Sequence, residues 1–250
     1  MINNKLIINF RNKLKNGSAS IGAWLQIPST DIAEILSTKN FSWIAIDMEH
    51  GNFNRESLTE IIRVISLSNV IPLVRVSNTA PNDIKIALDS GAYGVILPMI
   101  NNLKELKDII SFCKWPPKGK RGVAFFRGNQ WGQKYNDYKN FATKPIIIPM
   151  VETKEFAKDL KNINNTDDLD AVFIGPYDLS ASLDDFGNFE SLNYKKIIKE
   201  IISNCKKKSL PCGIHQIEPN NNELKRKIKI GFQFIAYSMD TVILNNYYKF

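Results

Sequence analysis

Four polar residues stand where short apolar runs stop. His50 closes Asp47-Met48-Glu49-His50, Arg75 ends Pro72-Leu73-Val74-Arg75, Glu152 follows Ile146 to Val151, and Asp178 follows Ala171 to Ile174 after a Gly175-Pro176 bend. Two carboxylates with open remaining positions make a site for a hard cation such as Mg²⁺ or Mn²⁺. A 2-oxo acid suits that site, because its carboxylate and ketone oxygens form a five-membered chelate. The cation then acts as a Lewis acid on the ketone and acidifies the adjacent C–H. A neighbouring His supplies a base, and an Arg stabilises charge on the enolate oxygen. Each residue also has a plainer reading. Asp178 can be a helix N-cap, and Glu152-Thr153-Lys154-Glu155 an acidic first helical turn. His50, His215 and Glu218 can be loop residues. Arg75 is the hardest to read this way, since a buried guanidinium needs an anionic partner. Asp47 reads as a residue that holds a neighbouring side chain or backbone in place. Asp89, near the end of an amphipathic helix, reads at first as a surface residue.

The elements that must carry these groups alternate short apolar runs with longer amphipathic ones, the pattern of βα units and a parallel sheet. Eight strands are predicted: Ser20 to Gln26, Trp43 to Asp47, Ile71 to Val76, Gly94 to Pro98, Ile146 to Val151, Ala171 to Ile174, Pro211 to Ile214 and Gln233 to Tyr237. Helices are predicted over Asp31 to Thr38, Glu56 to Ser68, Pro81 to Ser90, Leu103 to Cys113 and Tyr194 to Lys207. Ser29-Thr30-Asp31 and Asn78-Thr79-Ala80-Pro81 resemble helix starts, and Gly91 and Gly231 suit left-handed C-caps. Eight such units fit an α/β fold of the (β/α)8 TIM-barrel type, one domain over residues 1–250, whose chemistry sits at the C-terminal strand ends. An open doubly wound sheet is the alternative, but no Gly-x-Gly-x-x-Gly follows the first strand. His215 after the seventh strand and Ser238-Met239-Asp240 after the eighth join the same rim. The longest irregular stretch, Trp115 to Lys144, holds Phe125, Phe126, Trp131, Tyr135 and Tyr138. It reads as an ordered loop near the mouth or a subunit contact.

Composition narrows the class. No run of about 18 apolar residues suits a membrane helix, and Met1-Ile2-Asn3-Asn4-Lys5 lacks the apolar centre of a signal peptide. Three cysteines, Cys113, Cys205 and Cys212, are too few and too irregular for a disulfide framework or a zinc site. A cytoplasmic protein with no membrane partner follows. The net charge of +8 raises nucleic acid as a partner. Yet Lys195-Lys196, Lys206-Lys207-Lys208 and Lys225-Arg226-Lys227 lie in helix-like stretches without interleaved aromatics, so they read as solvated surface and no nucleic-acid partner is expected.

In combination and order, several segments resemble the HpcH/HpaI aldolases, metal-dependent class II pyruvate aldolases. They are Gly22-Ala23-Trp24, Ile46-Asp47-Met48-Glu49-His50, Pro72-Leu73-Val74-Arg75-Val76, Leu88-Asp89-Ser90-Gly91-Ala92, Leu97-Pro98-Met99, Arg121-Gly122-Val123, Val151-Glu152-Thr153 and Phe173-Ile174-Gly175-Pro176-Tyr177-Asp178-Leu179-Ser180. The resemblance implies a barrel of the phosphoenolpyruvate/pyruvate-binding type that reversibly cleaves a 2-keto-4-hydroxy acid to pyruvate and an aldehyde. It implies Glu152 and Asp178 as ligands of a divalent cation (Mg²⁺, Mn²⁺ or Co²⁺). His50 would act as base through a metal-bound water, with Asp89 as its orienting partner, so that the Asp89 helix end would face the mouth. Arg75 would meet the ketone and enolate oxygen. Backbone N–H groups from Gly175 through Tyr177 to Asp178 would receive the pyruvate carboxylate, Trp24 would wall the pocket, and His215 would face the aldehyde half. A homo-oligomer, a hexamer in the family, is implied too, although the tail ending at Phe250 is short beside the family's swapped last helix. Met150 stands where many members carry Gln, which removes a side-chain contact to pyruvate or its water. Two rival readings are an acyl-CoA lyase of the malyl or citramalyl type and a non-catalytic basic binding protein on the same barrel.

Overall fold

The computed structural model describes residues 2–164 and 167–247. Met1 and the tail to Phe250, on which the signal-peptide and tail readings drew, lie outside the described residues. Eight parallel strands close into a barrel in chain order: β1 (Ser20–Leu25), β2 (Trp43–Asp47), β3 (Ile71–Arg75), β4 (Gly94–Leu97), β5 (Ile146–Val151), β6 (Val172–Ile174), β7 (Cys212–Gln216) and β8 (Phe234–Tyr237), which returns to β1. All eight predicted strands form, with ends moved by no more than two residues.

The helices are α1 (Asn4–Lys15), α2 (Thr30–Ser37), α3 (Arg55–Ile65), α4 (Pro81–Asp89), α5 (Leu103–Cys113), α6 (Tyr135–Ala142), α7 (Lys154–Asp159), α8 (Pro176–Ser182), α9 (Leu192–Lys207), α10 (Asn221–Ile230) and α11 (Asp240–Tyr247). Ser29 caps α2 by accepting from the Ile32 N–H, Pro81 opens α4, and Gly231 ends α10 at φ 113°. None of the described helices is long and apolar enough to cross a membrane.

Strand periodicity sorts the side chains into two cores. Ile44, Ile46, Val74, Val95, Ile147 and Val151 point out against the helices, while Trp43, Ala45, Leu73, Ile96, Ile148, Met150, Phe173 and Phe234 fill the barrel. Gly22 permits this filling, because a Cβ there would lie 2.0 Å from the Trp43 ring. α1, which carries no chemistry-bearing signal, closes the N-terminal end. Its Ile7, Phe10 and Leu14 join the interior core, and Arg11 pairs with Asp170 at 2.6 Å. Continuing the same period past each strand aims Gln26, Asp47, Arg75, Glu152, Gly175, His215 and Ser238 inward at the other end. That end is the mouth.

One expectation about the fold is corrected. The stretch from Trp115 to Lys144 connects α5 to β5, and in a (β/α)8 barrel such a connection lies at the N-terminal strand ends, away from the mouth. It is ordered by aromatic packing of Trp115 with Phe126, Tyr135 and Tyr138, and it contains α6. Arg127 ties it to α4 by donating to the Ser90 carbonyl at 3.2 Å.

Candidate active site

β2 and β3 pair with Asp47 beside Arg75 at their exits. Asp47 is fully buried, and six donors surround its carboxylate. Oδ1 accepts from Arg75 Nε at 2.9 Å and from the Glu49 and His50 N–H groups at 3.1 Å. Oδ2 accepts from Arg75 Nη2 at 2.6 Å, Gln26 Nε2 at 3.0 Å and Trp24 Nε1 at 3.1 Å. Burial alone would raise this carboxyl. The hydrogen bonds and charge of Arg75, helped by Gln26 and Trp24, outweigh burial and hold it at about 2. The holding role read for Asp47 in the sequence is therefore literal: it fixes three side chains and the turn that carries His50.

Arg75 receives a second anchor. Glu49 Oε2 lies 2.9 Å from its Nη1 as an ion pair whose angle falls outside hydrogen-bond geometry, so this buried oxygen has no hydrogen bond. The guanidinium also sits 5.0 Å from the centre of the Trp24 ring. Burial works against its charge, but Asp47, Glu49 and Glu152 raise its proton affinity further, so Arg75 stays cationic.

Glu152 follows β5, one layer above the buried Met150, and is itself buried. Its Oε2 accepts from the Met99 N–H at 2.7 Å. Met99 takes φ 52° to aim that N–H, a left-handed conformation that costs a non-glycine residue on the order of 1–2 kcal/mol. Glycine at 175 leaves Oε1 its space, since a Cβ there would lie 2.8 Å away. Burial pushes the Glu152 carboxyl up to about 7. Glu49 and Asp178 push the same way, against the Met99 N–H and Arg75. Glu49 is also raised, by burial first, with Asp47 and Asp178 adding to it against Arg75 and His50. These mutual effects place Glu49, Asp178, Glu152, Arg75 and His50 around one mouth. Among the described residues no cluster of three or more His, Cys, Asp or Glu closes on a single point. The arrangement offers two acidic edges, Glu152 and Asp178, rather than an all-protein cage.

The other predicted residues fall as follows. His50 is exposed in the turn after β2. Asp178 is exposed in the first turn of α8, and Tyr177 beside it packs edge-on against Phe189. The Gly175 N–H is taken by Val151 O at 3.4 Å and Pro176 has none, so the open donors at this helix start are those of Tyr177 and Asp178. Trp24 is 1% exposed, stacked 5.6 Å from Phe173 and tilted against His215 with ring centres 4.7 Å apart. His215 is buried against it, with Nε2 3.4 Å from the Ser238 carbonyl. Burial and Arg75 lower its pKa to about 4 despite Ser238 and Asp47, so the ring is neutral at pH 7.

Asp89 does not join them within this chain. It ends α4, and helix C-termini in this fold point away from the mouth of their own chain. Burial pushes its carboxyl up to about 6, against the charges of Arg121, Lys85 and Arg55. Sequence reasoning gave no role to Glu49, Gln26 or Met99. Glu49 stood in a quoted motif and Gln26 at a strand end. Nothing in the sequence marked the Met99 backbone.

With this geometry in view, the comparisons are specific. A family model described as HpcH/HpaI aldolase/citrate lyase matches residues 20–246. A 4-hydroxy-2-oxo-heptane-1,7-dioate aldolase of Klebsiella pneumoniae subsp. pneumoniae is 33% identical over 238 residues, covering 94% of this chain and 89% of that protein. The enzyme of the same name from Salmonella paratyphi A is 32% identical over the same shares. A solved HpcH/HpaI aldolase/citrate lyase family protein of Burkholderia cenocepacia J2315 superposes with a TM-score of 0.89 at 26% identity, covering 96% of this chain and 95% of that one.

Proposed function

The chain belongs to the HpcH/HpaI aldolase/citrate lyase family and is an aldolase-type lyase, and we propose that it cleaves a 2-keto-4-hydroxy acid to pyruvate and an aldehyde at the mouth built above. The observation that carries this reading is a doubly anchored Arg75 facing the same opening as Glu152 and Asp178.

Glu152 and Asp178 suit a hard divalent cation. Both offer oxygen, they sit on separate elements, and the like charges that push Glu152 up are relieved by positive charge between them. Mg²⁺, Mn²⁺ and Co²⁺ all fit that donor set. When bound, such a cation polarises the 2-keto group and acidifies the neighbouring C–H. The chain's own groups do the rest. The Tyr177 and Asp178 N–H groups at the α8 start receive the substrate carboxylate. Arg75, immobile between Asp47 and Glu49, donates to the ketone oxygen as it gains charge. His50 stands in a turn fixed by Asp47 and takes the 4-hydroxyl proton. The C3–C4 bond then breaks, its electron pair forms the enolate of pyruvate, and the aldehyde leaves. Protonation at C3 completes pyruvate, and condensation is the same path reversed. His215, neutral beside Trp24, is assigned to the aldehyde half by the family resemblance.

Pyruvate release measured over a panel of 2-keto-4-hydroxy acids tests the reading, with malyl- and citramalyl-CoA thioesters alongside. Turnover of the acids and none of the thioesters is expected. Turnover of the thioesters alone would replace the proposal with an acyl-CoA lyase. A homo-oligomer is part of the proposal, supported by Phe125 and Trp131, each 68% exposed on the α5–β5 connection. Sedimentation as a monomer at micromolar concentration would remove that part.

A further inference from the structure

Gln26, the residue after β1, ties the C-terminal helix to the anchored arginine. Its Nε2 donates to Asp47 Oδ2 at 3.0 Å, and its Oε1 accepts from Thr241 Oγ1 at 2.8 Å. Chemistry fixes the direction of both bonds. An ionised Asp47 can only accept, so the amide nitrogen must face it, and the amide oxygen then faces a hydroxyl that must donate. The backbone beside it is pinned as well. Asp240 accepts the Gln26 N–H on Oδ1 and the Ile27 N–H on Oδ2, each at 2.9 Å, which seats the start of α11 on the exit of β1. A continuous strut results, from Thr241 through Gln26 to Asp47, where Arg75 enters from the other side.

The strut meets Asp47 at the oxygen that holds Arg75 Nη2 at 2.6 Å. Three donors share that oxygen, and Gln26 is the only one of the three reaching it from outside the barrel interior core and the ion pair. A carboxylate is free to turn about its own axis unless donors at its edge hold the plane. Gln26 supplies such a donor, and Thr241 keeps the Gln26 amide from turning over. Neither residue belongs to the cation-holding pair or to the groups placed against substrate.

We propose that Gln26 and Thr241 are positioning residues for the lyase reaction, setting the plane of Asp47 and through it the orientation of the Arg75 guanidinium. The inference rests on the reading of Arg75 as the group that meets the enolate oxygen. Its consequence is that the first turn of α11, far from the reacting atoms in the chain, governs turnover rather than substrate binding.

The test uses the full-length, cation-loaded enzyme and measures kcat and KM for pyruvate release together with thermal unfolding. Gln26→Leu is expected to lower kcat about tenfold to a hundredfold, the rate equivalent of one hydrogen bond to a charged group, with KM unchanged. Thr241→Val, which keeps the side-chain shape, lowers kcat in the same sense, and Thr241→Ser, which restores the hydroxyl, recovers it. On an Arg75→Lys background, where a lysine cannot make the two-pronged pair, Gln26→Leu costs nothing more. Unchanged kcat in Gln26→Leu, equal losses in Thr241→Val and Thr241→Ser, or losses that multiply in the double variant each overturn the strut. Should Gln26→Leu not fold, the Thr241 pair decides alone. Wild-type kcat in Arg75→Lys would instead remove the reading of Arg75 itself. An impaired Arg75→Lys with an unimpaired Gln26→Leu overturns the strut and leaves that reading standing.

Discussion

Replacing Asp47 with Asn probes the anchor of the site while changing almost no volume. One carboxylate oxygen becomes an NH₂ group and turns from acceptor to donor. Whichever way the amide lies, it faces three donors: Arg75 Nε with the Glu49 and His50 N–H groups, or Arg75 Nη2 with Trp24 and Gln26. Removing one partner of a buried ion pair costs about 3–5 kcal/mol. Glu49 still pairs with Arg75 here, so the lower end applies. At about 2–4 °C per kcal/mol for a chain of this size, 3 kcal/mol is a fall in Tm of roughly 6–12 °C. Glu49→Gln serves as comparison. Glu49→Gln leaves the two-pronged Asp47–Arg75 pair intact and removes only an ion pair without hydrogen-bond geometry, so it should lower Tm by less than Asp47→Asn does. The pH dependence supplies a second signature. Asp47 is held at about 2 against an ordinary 3.8, a depressed carboxyl. Its contribution is therefore complete above pH 3.8 and disappears as pH falls through 2, a difference worth about 2.5 kcal/mol. The Tm gap between wild type and Asp47→Asn should be wide at pH 6 and shrink steadily below pH 4. Equal melting of the two proteins at pH 6, or a gap that ignores pH down to 2, would refute the reasoning.

Three further outcomes follow from the same geometry. Glu152→Gln should lose at least about a hundredfold in turnover, as expected for a group that orients charge at the reacting centre, yet should melt no lower than cation-free wild type at pH 8, because it removes a buried like charge; a clear fall in Tm would contradict this. The Glu152 carboxyl is raised to about 7 from an ordinary 4.5, so without cation it favours the fold fully below pH 4.5 and that advantage is lost as pH rises through 7. Cation uptake should then displace a proton, and the rise in Tm on adding Mn²⁺ should be larger at pH 8 than at pH 6; equal shifts would argue that Glu152 is not a ligand. Gly175→Ala puts a Cβ 2.8 Å from Glu152 Oε1 and 2.9 Å from its Cγ. It should weaken Mn²⁺ binding about tenfold or more while costing about 1–3 kcal/mol in stability, and calorimetry showing wild-type Mn²⁺ affinity would refute it.

How much of this was legible in the sequence depends on what each residue touches. The strands were readable because a two-residue period with β-branched residues leaves few alternatives, and their ends then pointed to Asp47, Arg75 and Glu152. Arg75 was informative by itself, since a guanidinium closing an apolar strand demands an acid nearby, and the neighbouring strand end supplied it. α1 and α6 escaped notice because one carries no chemistry and the other hides in a stretch rich in Gly and aromatics. Composition left the Trp115 to Lys144 stretch open between a loop near the mouth and a subunit contact. Its place after a helix and before a strand carries the correct information, because connections of that order lie opposite the mouth. Gln26 and Thr241 meet only after the barrel closes β8 onto β1, a contact between residues some two hundred positions apart that no local pattern announces.

The proposed lyase reaction depends on a divalent cation held by Glu152 and Asp178. The direct measurement is pyruvate release from a 2-keto-4-hydroxy acid by enzyme stripped with chelator, then titrated with Mn²⁺, Mg²⁺ or Co²⁺. Stripping should abolish turnover, and one equivalent of cation per chain should restore it in wild type but not in Glu152→Gln. Full turnover by the stripped enzyme would contradict it.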